Sequence, residues 1–395
     1  MNTKLLAPLS LIAISWVPFS HAQMESGEGA EMTEVADKPA ERPTGNQLLN
    51  LRGVPKEGRT LLPIGFTWPS SAGDAALCLW KDDKTAVLSF TIDDNCAMNI
   101  DWWLKETAAH DIKVTWFLVA GGISGSNPAM NGKWEDWMKP LQAGHALESH
   151  TMTHLSASKN PETWKGIEWE YKDSKERIEQ NLPGHKVTCL AYPGGGQSKF
   201  NDPSVAARFF ISGRTTKGML NGAQNHNYLA INAMTKANFG ERPQNTFNNA
   251  DNLMNPKAGQ GYRGWCVVIY HYVKEKDPGV VARIQADLDY AVKNKDQLWI
   301  ARFNDAARYG QSRETSKLEV KENSPTRIVL NLTDRMDDRY FDFPLTVKVR
   351  LPDNWGKVSA QQDGKPAASK IIEHEGAKFA LIDVVPDKGD TVLTP

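Results

Sequence analysis

The sequence has little cysteine, almost no net charge and, beyond its first residues, no long apolar run. Four cysteines, Cys78, Cys96, Cys189 and Cys266, stand among 395 residues, none in a C-x-x-C spacing, which argues against a cysteine-ligated structural zinc. Two disulfides in any of three pairings stay open beside a blander reading, that all four are small buried residues on strands. A formal net charge of -1 offers no basic face for nucleic acid or an anionic membrane, and a neutral polymer or small molecule suits it better. No segment past residue 22 approaches the about 20 apolar residues of a spanning helix, so no stable membrane insertion is expected. Repeats of solenoid period are absent, and nothing in the residues fixes an oligomeric state.

What is present begins with an address. Lys4 precedes an apolar run over 5–19, followed by Ser20, His21 and Ala22, the pattern of a signal peptide cut after Ala22. An exported protein, periplasmic or secreted, is expected. Residues 23–45 hold six acidic and two basic side chains and few large apolar ones, too little to bury against the entropy of ordering. We read 23–60 as an acidic flexible linker.

From there to about residue 315 short apolar runs at 86–92, 114–120, 187–192, 266–270 and 298–301 alternate with helical periodicity, which predicts an α/β domain over 61–315. The clearest helices fall at 161–181, with Trp164, Ile167, Tyr171, Ser174 and Ile178 on one stripe, and at 280–294. Residues 316–395 change texture to short β-rich runs broken by turn signals, which predicts a small C-terminal β-sandwich domain.

Four stretches carry chemistry. Asp93 and Asp94 end an apolar run, and adjacent carboxylates there repel each other unless one holds a cation or shares a proton. His150 and His154 stand four apart, a spacing that puts two imidazoles on one face of a helical turn where they can meet one ion; His145 falls off that spacing and reads as packed or as a support behind the ligands. Tyr192, Pro193 and Gly194 follow another apolar run, where glycine lets a backbone N–H face a ligand, or forms an ordinary turn. His271 ends a fourth run, as a general acid or as a packed core residue.

In order and placement these stretches resemble the polysaccharide deacetylases with a NodB-homology domain, carbohydrate esterase family four. The matching residues are the T-x-D-D of Thr91 to Asp94, the G-H-x-x-x-S-H-T-x-x-H of Gly144 to His154, the A-Y-P-x-G of Ala191 to Gly195, and the strand ending at His271. Thr115, Trp116 and Phe117 look like that family's second strand. The resemblance implies a distorted (β/α) barrel with its site at the carboxyl ends of the strands. It implies a divalent cation on Asp94, His150 and His154, Asp93 as base and His271 as acid. The Tyr192, Pro193 and Gly194 turn would face substrate, with the Gly194 N–H as oxyanion donor. Two imidazoles and a carboxylate suit zinc, while cobalt, nickel and manganese also accept such ligands. The implied reaction is removal of N- or O-linked acetyl groups from a carbohydrate; a retired catalyst that only binds glycan is the alternative on the same scaffold.

Departures are visible. Ala191 stands where many members carry an arginine that orients the base, Asn95 replaces the usual glycine after the Asp pair, and no D-x-x-D-W match occurs. Arg214 and Arg302 are the candidates for the missing charge. Trp102, Trp103, Trp265, Tyr272 and Trp299 are candidate sugar platforms, most of them expected to be core.

Overall fold

Seven parallel strands set the architecture: β2 (Ala86–Ile92), β3 (Thr115–Leu118), β4 (Ala146–Ser149), β5 (Cys189–Ala191), β6 (Ser212–Arg214), β7 (Trp265–Tyr270) and β8 (Leu298–Ile300). The computed structural model describes residues 58–154, 164–195, 201–235 and 249–395. The expected signal peptide and nearly all of the acidic linker lie outside them. All seven residues of β2 and all six of β7 are buried, as in a sheet covered on both faces. The sheet runs β6-β5-β4-β3-β2-β7, with β8 added to the start of β2. Between its edges, isolated bridges join Arg214 to Ile231 and Met234 to Val268, so the 215–234 segment closes the gap and the sheet curls into a distorted barrel. The α/β expectation holds, with the carboxyl ends of the strands gathered on one face.

The helices differ from the sequence reading at their starts. The expected 161–181 helix is helical over Ile167–Asn181, because Gly166 takes φ 96 and breaks the backbone ahead of it; 161–163 lie outside the described residues. The 280–294 helix begins earlier, at Pro278–Lys293, where the Asp277 side chain accepts from Gly279 and Val280 N–H and proline occupies the first turn.

The C-terminal region forms two antiparallel sheets. One runs β1 (Ala75–Leu77), β11 (Leu345–Arg350), β15 (Ala377–Val384), β14 (Ser369–His374); the other runs from β13 (Lys365–Pro366) through β12 (Ser359–Gln362), β16 (Asp390–Thr394) and β10 (Arg327–Thr333) to β9 (Lys317–Ser324). The boundary expected at 315/316 is crossed by β1, which comes before the barrel in sequence yet pairs antiparallel with β11. One apolar cluster accordingly spans both parts, from Trp80, Phe303 and Tyr309 to Val347, Ile382 and Leu393. All four cysteines are buried and free, which settles the open reading in favour of small packed residues; burial pushes the Cys96 thiol up to about 12. Among the described residues no helix is long and apolar enough to cross a membrane.

A buried ion pair pins the two parts together. Lys348 on β11 meets Asp83 at 2.5 Å, with side-chain exposures of 1% and 9%, and its ammonium also donates to the Thr67 carbonyl. Removing Lys348 leaves Asp83 in a dry place with only the looser Arg263 guanidinium, 3.9 Å away, an effect approaching the about 3–5 kcal/mol of breaking a buried pair. Urea unfolding of Lys348→Ala is therefore expected to show a loss of about that size, and a loss below about 1 kcal/mol would show that the pair is solvated.

Candidate active site

The site starts with the strained end of β2. Asp94, Asn95 and Cys96 take φ values of 61, 60 and 53 in succession, a left-handed run that persists only when its surroundings hold it. Asn95 does much of the holding. Its Oδ1 accepts from Val119 N–H at 2.8 Å, and its Nδ2 donates to the Val119 carbonyl and to Asn131 Oδ1. Asparagine tolerates positive φ better than most residues, which explains why it can stand where the resembling family has glycine.

This turn gives the two carboxylates different principal partners, although His150 Nε2 lies near both, at 3.7 Å from Asp93 Oδ2. Asp93 is 2% exposed, its N–H donates to the Tyr270 carbonyl, and both of its oxygens accept from the same nitrogen of Arg214, Nη2, at 2.5 Å for Oδ1. Arg214 is fully buried over the Phe117 ring, at 5.2 Å from its centroid. Its strand position is paired in register with Ala191, so the guanidinium arrives one strand away from where the resembling family carries its arginine. Arg302, the other candidate, bonds Asp305 and the Gly144 carbonyl instead.

Asp94 faces imidazoles. Its Oδ1 lies 3.4 Å from His150 Nε2 and 3.1 Å from His154 Nε2, and one ligand atom from each of the three residues falls within 4.8 Å of the others. Burial opposes ionisation of Asp94, but hydrogen bonding and charge from His150 and His154 outweigh it and hold the carboxyl well below the usual carboxylate range. That Oδ1 atom is nonetheless buried with no well-formed hydrogen bond among the described residues. His150 Nδ1 donates to the Ala191 carbonyl at 2.8 Å, which leaves the Nε2 lone pair directed to the carboxylate. An acceptor-only oxygen faces the His150 Nε2 lone pair here with the His154 ring beside it, so Asp94, His150 and His154 together could hold a metal ion.

The H-x-x-x-H motif does not lie on a helical turn. His150 to His154 form the loop after β4, and the rings meet, with centroids 4.7 Å apart, because Thr151 and His154 take φ of 67 and 54. Glu170, from the helix Ile167–Asn181, fixes that loop: it accepts from the Met152 and Thr153 N–H groups at 2.9 Å each, from the Thr153 hydroxyl at 2.5 Å and from Trp164 Nε1. Sequence reasoning missed Glu170, since nothing in its spacing sets it apart from Glu168 in the same turn. His145 is packed, as expected, accepting from Val114 N–H, and burial pulls its pKa down to about 4.

The remaining candidates divide. His271 is 47% exposed, with Nε2 at 3.9 Å from Asp93 Oδ2 and 3.8 Å from Asp94 Oδ2, so it stands over both carboxylates. Gly194 is exposed at φ 67, and Asn201 holds its turn by donating to the Pro193 and Gly195 carbonyls; Pro193 itself is buried. Tyr192 departs from the expectation that it faces substrate: it is 1% exposed and its hydroxyl donates to the Leu229 carbonyl, so its ring belongs to the core. Trp103 and Trp265 are core as well, at 0% exposure, and Trp299 packs against Trp80 and Tyr309.

Residues 81–208 match the model of the polysaccharide deacetylase family, a span that includes Asp93, Asp94, His150, His154 and Gly194 and ends before Arg214 and His271. A gellan lyase of a Bacillus species is 33% identical over 385 residues, covering 92% of this chain; the chain spans 15% of the length of that relative. Among solved structures, a putative polysaccharide deacetylase of Mycobacterium smegmatis is 15% identical, covers 62% of this chain and 95% of its own, and overlays with a TM-score of 0.43. A Streptococcus pyogenes deacetylase in complex with acetate is 26% identical over 37% of this chain and 62% of its own, with a TM-score of 0.32.

Zinc titration of metal-free protein by calorimetry is expected to show one site, lost on Asp94→Ala. Glu170→Gln, which keeps the side chain's size but weakens its grip on the loop, is expected to lower zinc affinity by about 10-fold or more. Unchanged affinity in Glu170→Gln would leave this residue no part in placing the ligands.

Proposed function

We propose that this chain, which carries a polysaccharide deacetylase domain over residues 81–208, is a cation-dependent hydrolase that removes acetyl groups from a poly- or oligosaccharide. The observation that carries the reading is the division of labour at the end of β2. Asp94 faces two imidazoles, while Asp93, a residue away, is gripped by Arg214 and stands outside that ligand set.

Asp94, His150 and His154 would hold the cation, with zinc the best match to two imidazoles and a carboxylate and cobalt, nickel or manganese compatible with the same donors. A divalent ion in such a place makes a water more acidic and polarises an acyl carbonyl. The chain's own residues do the rest. Asp93 takes the proton of the attacking water, since Arg214 supplies one nitrogen and a carboxylate has lone pairs to spare. The exposed N–H of Gly194 is the candidate donor to the oxyanion that develops on the acetyl group. His271, exposed and above both carboxylates, gives a proton to the sugar nitrogen or oxygen as its bond to the acetyl carbon breaks. Acetate and a free amine or hydroxyl result.

Acetate release tests this across acetylated chitin oligomers, acetylxylan, peptidoglycan fragments and acylated gellan, the last suggested by the name of the Bacillus relative. Wild type with one equivalent of zinc is expected to act on at least one of them and to lose activity to a chelator. Asp93→Asn and His271→Ala are each expected to lower kcat by about 100-fold to 10,000-fold while retaining zinc. Glycan binding that survives Asp93→Asn, with no acetate released by wild type under any of the four metals, would instead identify a retired catalyst that only binds.

A further inference from the structure

A cavity of about 270 Å³ opens at the amino ends of β4 and β5, on the face of the barrel opposite to the one where His150 follows β4. His185 and Lys186 line it from the turn ahead of β5, and Arg302, Asn304 and Arg308 from the start of the helix Phe303–Thr315. We infer that this cavity binds a small anion, a phosphate or the carboxylate of a sugar acid, through Arg308 and Lys186.

The charges in this cavity do not balance. Asp305 accepts from Arg302 Nε at 2.6 Å and from its Nη2 at 3.1 Å, while Arg302 Nη1 donates to the Gly144 carbonyl. Arg308 is left with a contact of 3.6 Å from Nη1 to the same carboxylate. Its guanidinium makes no hydrogen bond among the described residues, although the side chain is 18% exposed and the Nε is buried. A guanidinium carries five N–H donors, and one so covered ordinarily has acceptors for them. Glu148, which also feels the Arg308 charge, has its oxygens taken by the Thr188 N–H and hydroxyl and the Cys189 N–H, and burial pushes its pKa up. The Lys186 ammonium has a neutral acceptor, the Arg339 carbonyl at 3.4 Å, and Asp337, whose charge it feels, is held by Arg339. Asn304 is buried with its Oδ1 unpartnered.

Two guanidiniums and an ammonium around one cavity, with a single carboxylate among them, set up a positive field that an anion relieves. That field reaches His145, which also lines the cavity: the charges of Lys113 and Arg302 add to burial in holding its pKa down at about 4. The first turn of the 13-residue helix contributes partial positive charge in the same place. The ligand's chemistry follows from the donors. A guanidinium fork matches two oxygens of a carboxylate or phosphate, and a lysine adds a point charge beside it. The volume falls just under the about 300 Å³ where small-molecule sites begin, room for one anionic group and a ring that carries it. None of Asp93, Asp94, His150, His154 or His271 lines the cavity, so it is separate from the site at the carboxyl ends.

Calorimetry on the full chain at constant ionic strength tests this with sodium phosphate and sodium glucuronate, against sodium chloride as control. Wild type is expected to bind at least one of the two above the chloride background, and the tighter one identifies whether the anion is a phosphate or a sugar carboxylate. Arg308→Gln is expected to weaken that binding by about 10-fold or more. Lys186→Ala, a change on an exposed side chain that leaves the fold intact, is expected to weaken it by about 2-fold to 5-fold, and Asp94→Ala to leave it unchanged. No binding of phosphate or glucuronate above chloride, or an affinity unchanged in both Arg308→Gln and Lys186→Ala, would overturn the site. Binding lost in Asp94→Ala but kept in Lys186→Ala would put the anion at the metal ligands and overturn it equally.

Discussion

Two carboxylates on adjacent residues repel each other, and the structure gives each a different principal partner while His150 and His271 stay near both. Asp93 is drawn inward to a buried guanidinium, whereas Asp94, turned outward by a positive φ, meets His150 and His154. Alternation along an extended strand would also send the two side chains to opposite faces, but it would place Asp94 wherever the pleat dictated. Leaving the strand through left-handed residues decouples the second carboxylate from the pleat, so one end of one strand offers both an ion-pairing group and the proposed metal ligand. Local strain is the consequence, and it is spread over Asp94, Asn95 and Cys96 rather than borne by one residue.

That strain explains why the neighbouring loops are so heavily tied. Asn95 grips Val119 by both of its amide atoms, and Glu170 takes up four donors around Thr153. Each acts on backbone close to a site residue, and each is far away in sequence from the group it restrains. A carboxylate that accepts several N–H groups replaces the hydration that burial removes, so Glu170 can be buried with no arginine beside it among the described residues. The loop carrying His150 and His154 is thus anchored to a helix on the outside of the barrel, and Asp94 to the strand beside it. Relative positions of the three proposed ligands depend on two elements that the sheet itself already holds in register.

The same logic separates what could be read in the residues from what could not. Asp93, Asp94, His150, His154 and His271 were legible because chemically unusual residues at the ends of apolar runs leave a mark in one dimension. Five of the barrel's seven strands and two of its helices were legible for the related reason that periodicity is local, whereas the short β4 and β6 were not read. Arg214 was visible only as one of two arginines, since its claim rests on pairing in register with Ala191, a fact about two strands 23 positions apart. The loop carrying His150 and His154 was misread as a helical turn because spacing of four fits a helix, and the φ of Thr151 that bends it has no signature in residue type. Tyr192 was misread because the resemblance carried over a whole turn, whereas only Gly194 of that turn is exposed and the Tyr192 ring is packed inward.

The C-terminal sheets show where such reading stops for a physical reason. Their strands were expected as a separate sandwich, yet β1 reaches them from before the barrel, and Asp83, just ahead of β2, carries the counter-charge of Lys348. A boundary drawn where composition changes presumes that contacts follow the chain. Here the chain passes through the sandwich sheet before it builds the barrel and returns to that sheet afterwards, so the seam is closed by a strand pair, a buried ion pair and a shared apolar cluster. The two C-terminal sheets are therefore tied to the segment from which β2 emerges, and no break in packing falls where the composition changes.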